Sequence, residues 1–237
     1  QAEAEARRRA RALLPDQIVV SESGAQYVVL KMLGTGGFGD VYQVASVKHP
    51  SRVYAMKTEG NKVDKSQKIF LRLKVETVVY QDIMKTPDDV IDKSHYVRLI
   101  DKGITHAFKY CIMDLAWKPL DYVIESVLEG KVSAHGKISI ARQTLGGIEG
   151  LHKIGYIHRD IKPGNYVVGL PPNDNIIYTL DFGIAKEFRD ATGNVRVPRE
   201  RVMFMGTLKY ASIAGLEDRE QGQKDDIEPW IYMMIEV

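Results

Sequence analysis

Two short strings hold the residues with chemistry to offer: His158-Arg159-Asp160-Ile161-Lys162-Pro163-Gly164-Asn165 and, further on, Asp181-Phe182-Gly183. The Asp160 carboxylate can orient a hydroxyl nucleophile. The Asn165 amide and the Asp181 carboxylate supply hard oxygens to magnesium, which keeps several waters and needs few protein ligands. Lys162, two positions after Asp160, can neutralise a phosphoryl group in flight. These are the parts that phosphoryl transfer from ATP requires. Asp-Phe-Gly alone would mean little; behind the longer string, and with a glycine loop and a lysine upstream, it points to an ATP-dependent enzyme. His158 could be read as a general base, but its place in the string assigns it to packing. His49, His95, His106, His135 and His152 show no metal-ligand spacing with Cys111, so no zinc is assigned.

The upstream loop is Leu33-Gly34-Thr35-Gly36-Gly37-Phe38-Gly39-Asp40-Val41. Its G-x-G-x-x-G spacing also occurs in dinucleotide-binding folds, where a helix must follow the last glycine so that its N-terminus meets a pyrophosphate. Here Gly39 leads into strand-like Val41-Tyr42-Gln43-Val44, so the expected structure is a hairpin. The amides of that hairpin can close over nucleotide phosphates, with Val41 and Ala55 as apolar surfaces for adenine. Lys57, in Tyr54-Ala55-Met56-Lys57, is placed to contact the α and β phosphates. Glu76 is the only acidic residue between Asp64 and Asp82, and an ion pair with it would hold the Lys57 ammonium in place.

These residues need a scaffold of two kinds. Tyr27–Leu33, Val41–Val44 and Val53–Lys57 read as three strands, with two more near 96–100 and 110–115. A helix is expected from Gln67 to about Met84, on apolar spacing at Leu71, Val75, Val78 and Tyr80. Ile138 to His152 opens a helix-rich half. The expected class is α+β: a small antiparallel sheet with one helix over 27–115, then a mainly helical lobe over 116–237, hinged near Asp114-Leu115-Ala116. Residues 1–20 form an Arg- and Ala-rich extension, a solvated helix or disordered.

The chain has 237 residues, 27% of them charged and 44% hydrophobic, enough for a sizeable core. Its formal charge of +2 equals the excess of Arg7, Arg8, Arg9 and Arg11 over Glu3 and Glu5, so bulk charge singles out no partner. One cysteine, Cys111, excludes an intramolecular disulfide framework and reads as a buried apolar residue. No apolar run reaches the roughly 18 residues of a membrane span, and the N-terminus lacks a secretory core, so cytoplasm or nucleus is expected. The chain starts at Gln1 and stops inside apolar Ile231–Val237, which reads as a fragment.

From about Tyr27 onward these motifs resemble the eukaryotic protein kinase superfamily. Gly206-Thr207-Leu208-Lys209-Tyr210-Ala211-Ser212-Ile213 is similar to a segment of the casein kinase I group, which has it where other kinases have Ala-Pro-Glu. The context of the catalytic string and of Val195–Arg201 is most similar to the tau-tubulin kinase branch and nematode members. The resemblance implies a bilobal fold truncated in its second lobe, ATP with magnesium, and phosphorylation of Ser/Thr on protein substrates. It casts Asp160 as proton acceptor and Met113 as gatekeeper beside the adenine site, followed by Asp114 and Leu115. A monomer without nucleic-acid or membrane partners is expected. The rival reading is a kinase-fold scaffold without turnover, opposed by the presence of Lys57, Glu76, Asp160, Asn165 and Asp181.

The segment after Asp181 adds two expectations. Between Gly183 and Tyr210 it offers only Thr192 and Thr207 as Ser/Thr acceptors, so it should work without phosphorylation. From Ile184 to Ile213 six basic residues face three acidic ones, a net +3 that with Arg159 would form a pocket for an acidic or primed substrate side chain.

Overall fold

The computed structural model describes residues 12–36, 39–61, 72–190 and 192–237. The chain forms two compact units, one of residues up to 73 with 98–115 and the other of 74–97 with 116–237.

The first unit is a six-stranded antiparallel sheet: β1 (Ile18–Val20), β2 (Gln26–Thr35), β3 (Asp40–Ser46), β4 (Val53–Gly60), β5 (Leu99–Ile104) and β6 (Phe108–Asp114), in the order β1-β2-β3-β4-β6-β5. Strand alternation divides it into two faces. Tyr42, Val44, Met56, Tyr110 and Ile112 are buried in one core with Leu13, Val19, Tyr27 and Val29. The opposite parity carries Val41, Lys57 and Cys111, aligned across three strands, and the neighbouring pair Ala55 and Met113. One sheet therefore separates residues that hold the fold from residues offered for chemistry. Cys111 is fully buried, as its apolar setting led us to expect.

The proposed N-terminal helix falls mostly outside the described residues, and within them positions 12–14 are not helical. Ile18–Val20, assigned to that extension, is instead an edge strand whose Val19 enters the core. The hairpin between β2 and β3 forms as expected, although Gly37 and Phe38 of its tip lie outside the described residues. Gly39 is demanded by packing: a Cβ there would sit 1.7 Å from the carbonyl oxygen of Thr58, whereas one on Gly34 would meet nothing within 4 Å.

Helix α1 (Arg72–Lys85) supports a different buried stripe from the one read in sequence. The start proposed at Gln67, and Leu71 with it, lie outside the described residues. Val78 is exposed, whereas Glu76, Val79, Tyr80 and Ile83 are buried. These four keep helical spacing, but one is a carboxylate, and a stripe sought among apolar residues alone is drawn out of phase.

In the second unit the long helix α2 (Ala134–Lys153) begins four residues before its predicted start, where Ser133 accepts the Gly136 N–H as N-cap. Its inner side packs Ile140 and Ile148 with Leu120, Ile161, Tyr166, Ile177 and Met233. Two small ribbons follow: β7 (Tyr156–Ile157) pairs with β10 (Lys186–Glu187), and β8 (Tyr166–Val168) pairs with β9 (Ile177–Thr179). Helices α3 (Ile213–Leu216) and α4 (Lys224–Glu236) close the unit. Pro229 lies inside α4, which starts at Lys224. Trp230 donates to the Thr144 hydroxyl at 2.9 Å, joining α4 to α2. No helix among the described residues is long and apolar enough to cross a membrane.

Gly39→Ala is expected to cost about 1–3 kcal/mol of stability, the usual range for forcing atoms into a filled space. Gly34→Ala, with open space, should leave the urea midpoint unchanged or slightly higher; equal loss in both would show that loop entropy, not the Thr58 contact, selects glycine.

Candidate active site

The catalytic string leaves β7 at Ile157 and is held by one carboxylate. Asp226, fully buried near the start of α4, accepts the backbone N–H of His158 at Oδ2 and that of Arg159 at Oδ1, each at 2.8 Å. Its Oδ2 also accepts from His152 Nε2 at 2.8 Å. Arg159 has φ +68°, a left-handed conformation that costs a non-glycine residue on the order of 1–3 kcal/mol unless its surroundings enforce it. The paired N–H bonds to Asp226 provide that enforcement.

His158 is structural. Its Nδ1 accepts the Asp160 N–H at 3.3 Å, which leaves Nε2 to donate to the Leu180 carbonyl at 3.0 Å. Its ring meets Phe182 edge-on at 5.4 Å, and Tyr80 packs on the same phenyl ring at 5.0 Å.

Around Asp160 the predicted residues come together. Oδ1 accepts the Thr207 hydroxyl at 2.7 Å, and Oδ2 receives Lys162 Nζ at 2.9 Å and Asn165 Nδ2 at 3.0 Å. Lys162 Nζ also donates to Thr207 Oγ1 at 2.7 Å. Burial on its own would raise the Asp160 pKa, but the hydrogen bonds from Lys162 and Thr207 and the Lys162 charge together hold it below the ordinary value. Asp160 is thus kept ionised and aimed. Gly206, at φ +119°, lets the chain pass so close that a Cβ would lie 2.7 Å from the Arg159 carbonyl oxygen.

Asp181 stands at φ +64°, just before the turn Phe182–Ile184. Asn165 is buried, and its Nδ2 is committed to the Asp160 carbonyl and carboxylate. Its side-chain oxygen is therefore the atom with acceptor capacity for a cation. An amide oxygen and a carboxylate fit magnesium and suit no softer metal. In the first unit, Lys57 and Ala55 lie on β4 beside Val41, and Met113 and Asp114 end β6. Arg98 grips Asp114 through two nitrogens at 2.8 and 2.9 Å. Leu33, Gly34 and Thr35 end β2, and Thr35 Oγ1 donates to Asp40 across the turn at 2.5 Å. Glu76 belongs to the second unit and is almost fully buried.

The basic segment behaves differently from its local charge count. Arg196 pairs with Glu187, Arg201 with Asp218, and Lys209 with Glu236. Arg199 and Lys186 both bind Glu220, Arg199 with Nε at 2.6 Å and Nη2 at 3.2 Å, Lys186 with Nζ at 2.6 Å. The positive excess expected to face a substrate anion is answered by carboxylates that lie outside the segment, at 218, 220 and 236. Glu220 was missed in sequence; the signal was the acidic cluster Glu217-Asp218-Arg219-Glu220, left without a partner in the charge tally.

Residues 27–232 match the protein kinase domain family. A probable serine/threonine-protein kinase of Dictyostelium discoideum is 32% identical over 212 residues, 89% of this chain and 40% of that protein. A putative serine/threonine-protein kinase of Caenorhabditis elegans is 35% identical over 184 residues, 78% of this chain and 54% of that protein. The serine/threonine-protein kinase spe-6 of the same nematode is 31% identical over 215 residues, 91% and 54% of the respective chains. The chain thus spans 40% to 54% of the length of these relatives.

Two outcomes follow from this geometry. Asp226→Asn, which cannot accept both loop N–H groups and the histidine as the carboxylate does, should lower stability by about 1–3 kcal/mol in urea titration; an unchanged midpoint would mean that the loop is held by other contacts. Thr207→Val removes a hydrogen bond to the ionised form of Asp160, so its pKa must rise. The acid limb of a kcat/KM profile should then move to higher pH, and a limb that stays in place would separate Thr207 from the carboxylate's ionisation.

Proposed function

The chain belongs to the protein kinase family, and we propose that it transfers the γ-phosphate of ATP to Ser or Thr hydroxyls of protein substrates, as a member of the casein kinase I group. The observation that carries this reading is the set of bonds joining Asp160, Lys162, Asn165 and Thr207. A lysine on the catalytic carboxylate, bridged to a threonine of the Gly-Thr segment, is the arrangement expected for Ser/Thr rather than Tyr acceptors. The group assignment rests on Gly206–Ile213, and within it the likeness to the tau-tubulin kinase branch rests on the context of the catalytic string and of Val195–Arg201. In Gly206–Ile213, Ser212 caps α3 by accepting the Gly215 N–H at 3.2 Å, so the segment is ordered without the Ala-Pro-Glu glutamate.

Magnesium-ATP, when bound, brings the transferable phosphoryl group and the cation that neutralises its oxygens. Asn165 and Asp181 would hold the cation, and Lys57 would hold the α and β phosphates. Residues Leu33 to Val41 would cover the phosphates, with Gly34 open to close approach, while Ala55, Met113, Asp114 and Leu115 would line the adenine site.

The acceptor hydroxyl takes up the hydrogen bond that Thr207 makes to Asp160 Oδ1, which orients its oxygen toward phosphorus. Asp160 would take the hydroxyl proton as the new O–P bond forms and the bond from the γ-phosphorus to the bridging oxygen breaks, the electron pair leaving with ADP, and Lys162 Nζ, 2.9 Å from the same carboxylate, would balance charge on the transferring group. Location in the cytoplasm or nucleus and action as a monomer form part of the same proposal.

The test is transfer of radiolabelled γ-phosphate to a mixed peptide set. Label is expected on Ser and Thr, and Asp160→Asn and Lys57→Met should each lower turnover by roughly two to three decades with the fold retained. Label on Tyr, or more than about a tenth of the activity surviving Lys57→Met, would overturn the assignment.

A further inference from the structure

The short turn Asp218–Glu220 holds the segment after Asp181 at five residues, Arg201 among them through Asp218. Val202 N–H donates to the Asp218 carbonyl at 2.8 Å, and Phe204 N–H to the Asp218 carboxylate at 3.2 Å. Glu220 takes Lys186 from the start of the segment and Arg199 from its later part, thirteen residues apart. The Glu220 side chain is only 10% exposed, and a third cation, Arg159, lies within electrostatic reach of both Glu220 and Arg199. Two cations bonded to one shielded oxyanion, with a third in electrostatic reach, form an environment that also suits a phosphate group. Burial would raise the Glu220 pKa, but the bonds from Arg199 and Lys186 outweigh it and bring it to about 2, so the anion persists at any physiological pH.

We infer that Glu220 is a positioning residue for phosphoryl transfer, a built-in carboxylate that orders the segment where a phosphate would otherwise be needed. This rests on the kinase reading and adds the regulation of that site. Arg159 links the clamp to the chemistry, because its Nε donates to the Ile184 carbonyl at 2.8 Å while its own carbonyl lies against Gly206, beside the Thr207 that bonds Asp160. Thr192 does not contribute: its hydroxyl is spent on Asp190 Oδ1 at 2.6 Å in a separate turn. Because the cations are satisfied internally, an acidic substrate side chain gains no pocket here.

The experiment uses the whole chain with Glu220→Ala and the isosteric Glu220→Gln. Each should lose roughly tenfold to a hundredfold in kcat, as misplacement remote from the chemistry does, with KM for ATP unchanged and activity partly restored by Glu220→Asp. Removing the carboxylate also leaves Lys186 and Arg199 without the anion they share. Inorganic sulfate should therefore raise the Tm of Glu220→Ala in a saturable way and recover its turnover, with no such response in the native chain. The sulfate readout on Tm needs no kinase activity, so it separates failure of this inference from failure of the proposed function. Should Glu220→Ala not fold, Glu220→Gln carries both readouts. Full activity in the variants, a sulfate response equal to that of the native chain, or loss of native activity on phosphatase treatment would each overturn the inference.

Discussion

A single buried carboxylate underlies the chemistry of this chain. Asp226 has no access to water, and a charge so placed is tolerated only when its lone pairs are taken up by donors. Two of those donors are consecutive backbone N–H groups of the catalytic string, and capturing both turns Arg159 into the left-handed region. That turn sets the direction of Asp160. The compensation demanded by one group thereby becomes the orientation of another. Gly206 extends the dependence, because the segment carrying Thr207 can reach Asp160 only along a path with no side chain against the Arg159 carbonyl.

Charge in the region is organised by pairing across sequence. Arg196, Arg199, Arg201 and Lys209 look like a basic strip when read along the chain, yet each meets a carboxylate in space, three of them through acids beyond the 184–213 segment. Exposed pairs of this kind contribute on the order of 0–1 kcal/mol each. Glu220 differs because it is shielded and bound by two cations at once. The net field of the segment is accordingly weak where the linear count suggested a strong one.

Most of the site was legible because its residues fall into two compact strings whose spacing is set by local turns: Pro163–Asn165 brings Asn165 back to Asp160, and Phe182–Ile184 follows Asp181 directly. The strands were legible through alternation, and Ser133 marked a helix start that a search for apolar spacing placed four residues late. Features set by long-range placement were harder to see. The Glu76 side of α1 was misphased because a carboxylate occupies a buried position, and Glu220 was overlooked because its partners are distant in sequence. Ile18–Val20 is short and becomes a strand through pairing with β2.

The two-faced sheet has a further consequence for how it forms. β4 lies between β3 and β6, so its pairing is checked from both sides. A slip of one residue would carry Lys57 into the core position of Met56, among Tyr42 and Ile112, and turn Met56 out in its place. Burying an ammonium there would cost several kcal/mol, and every mispaired strand would pay it at once. The lysine that the chemistry requires also proofreads the register of the strand that carries it.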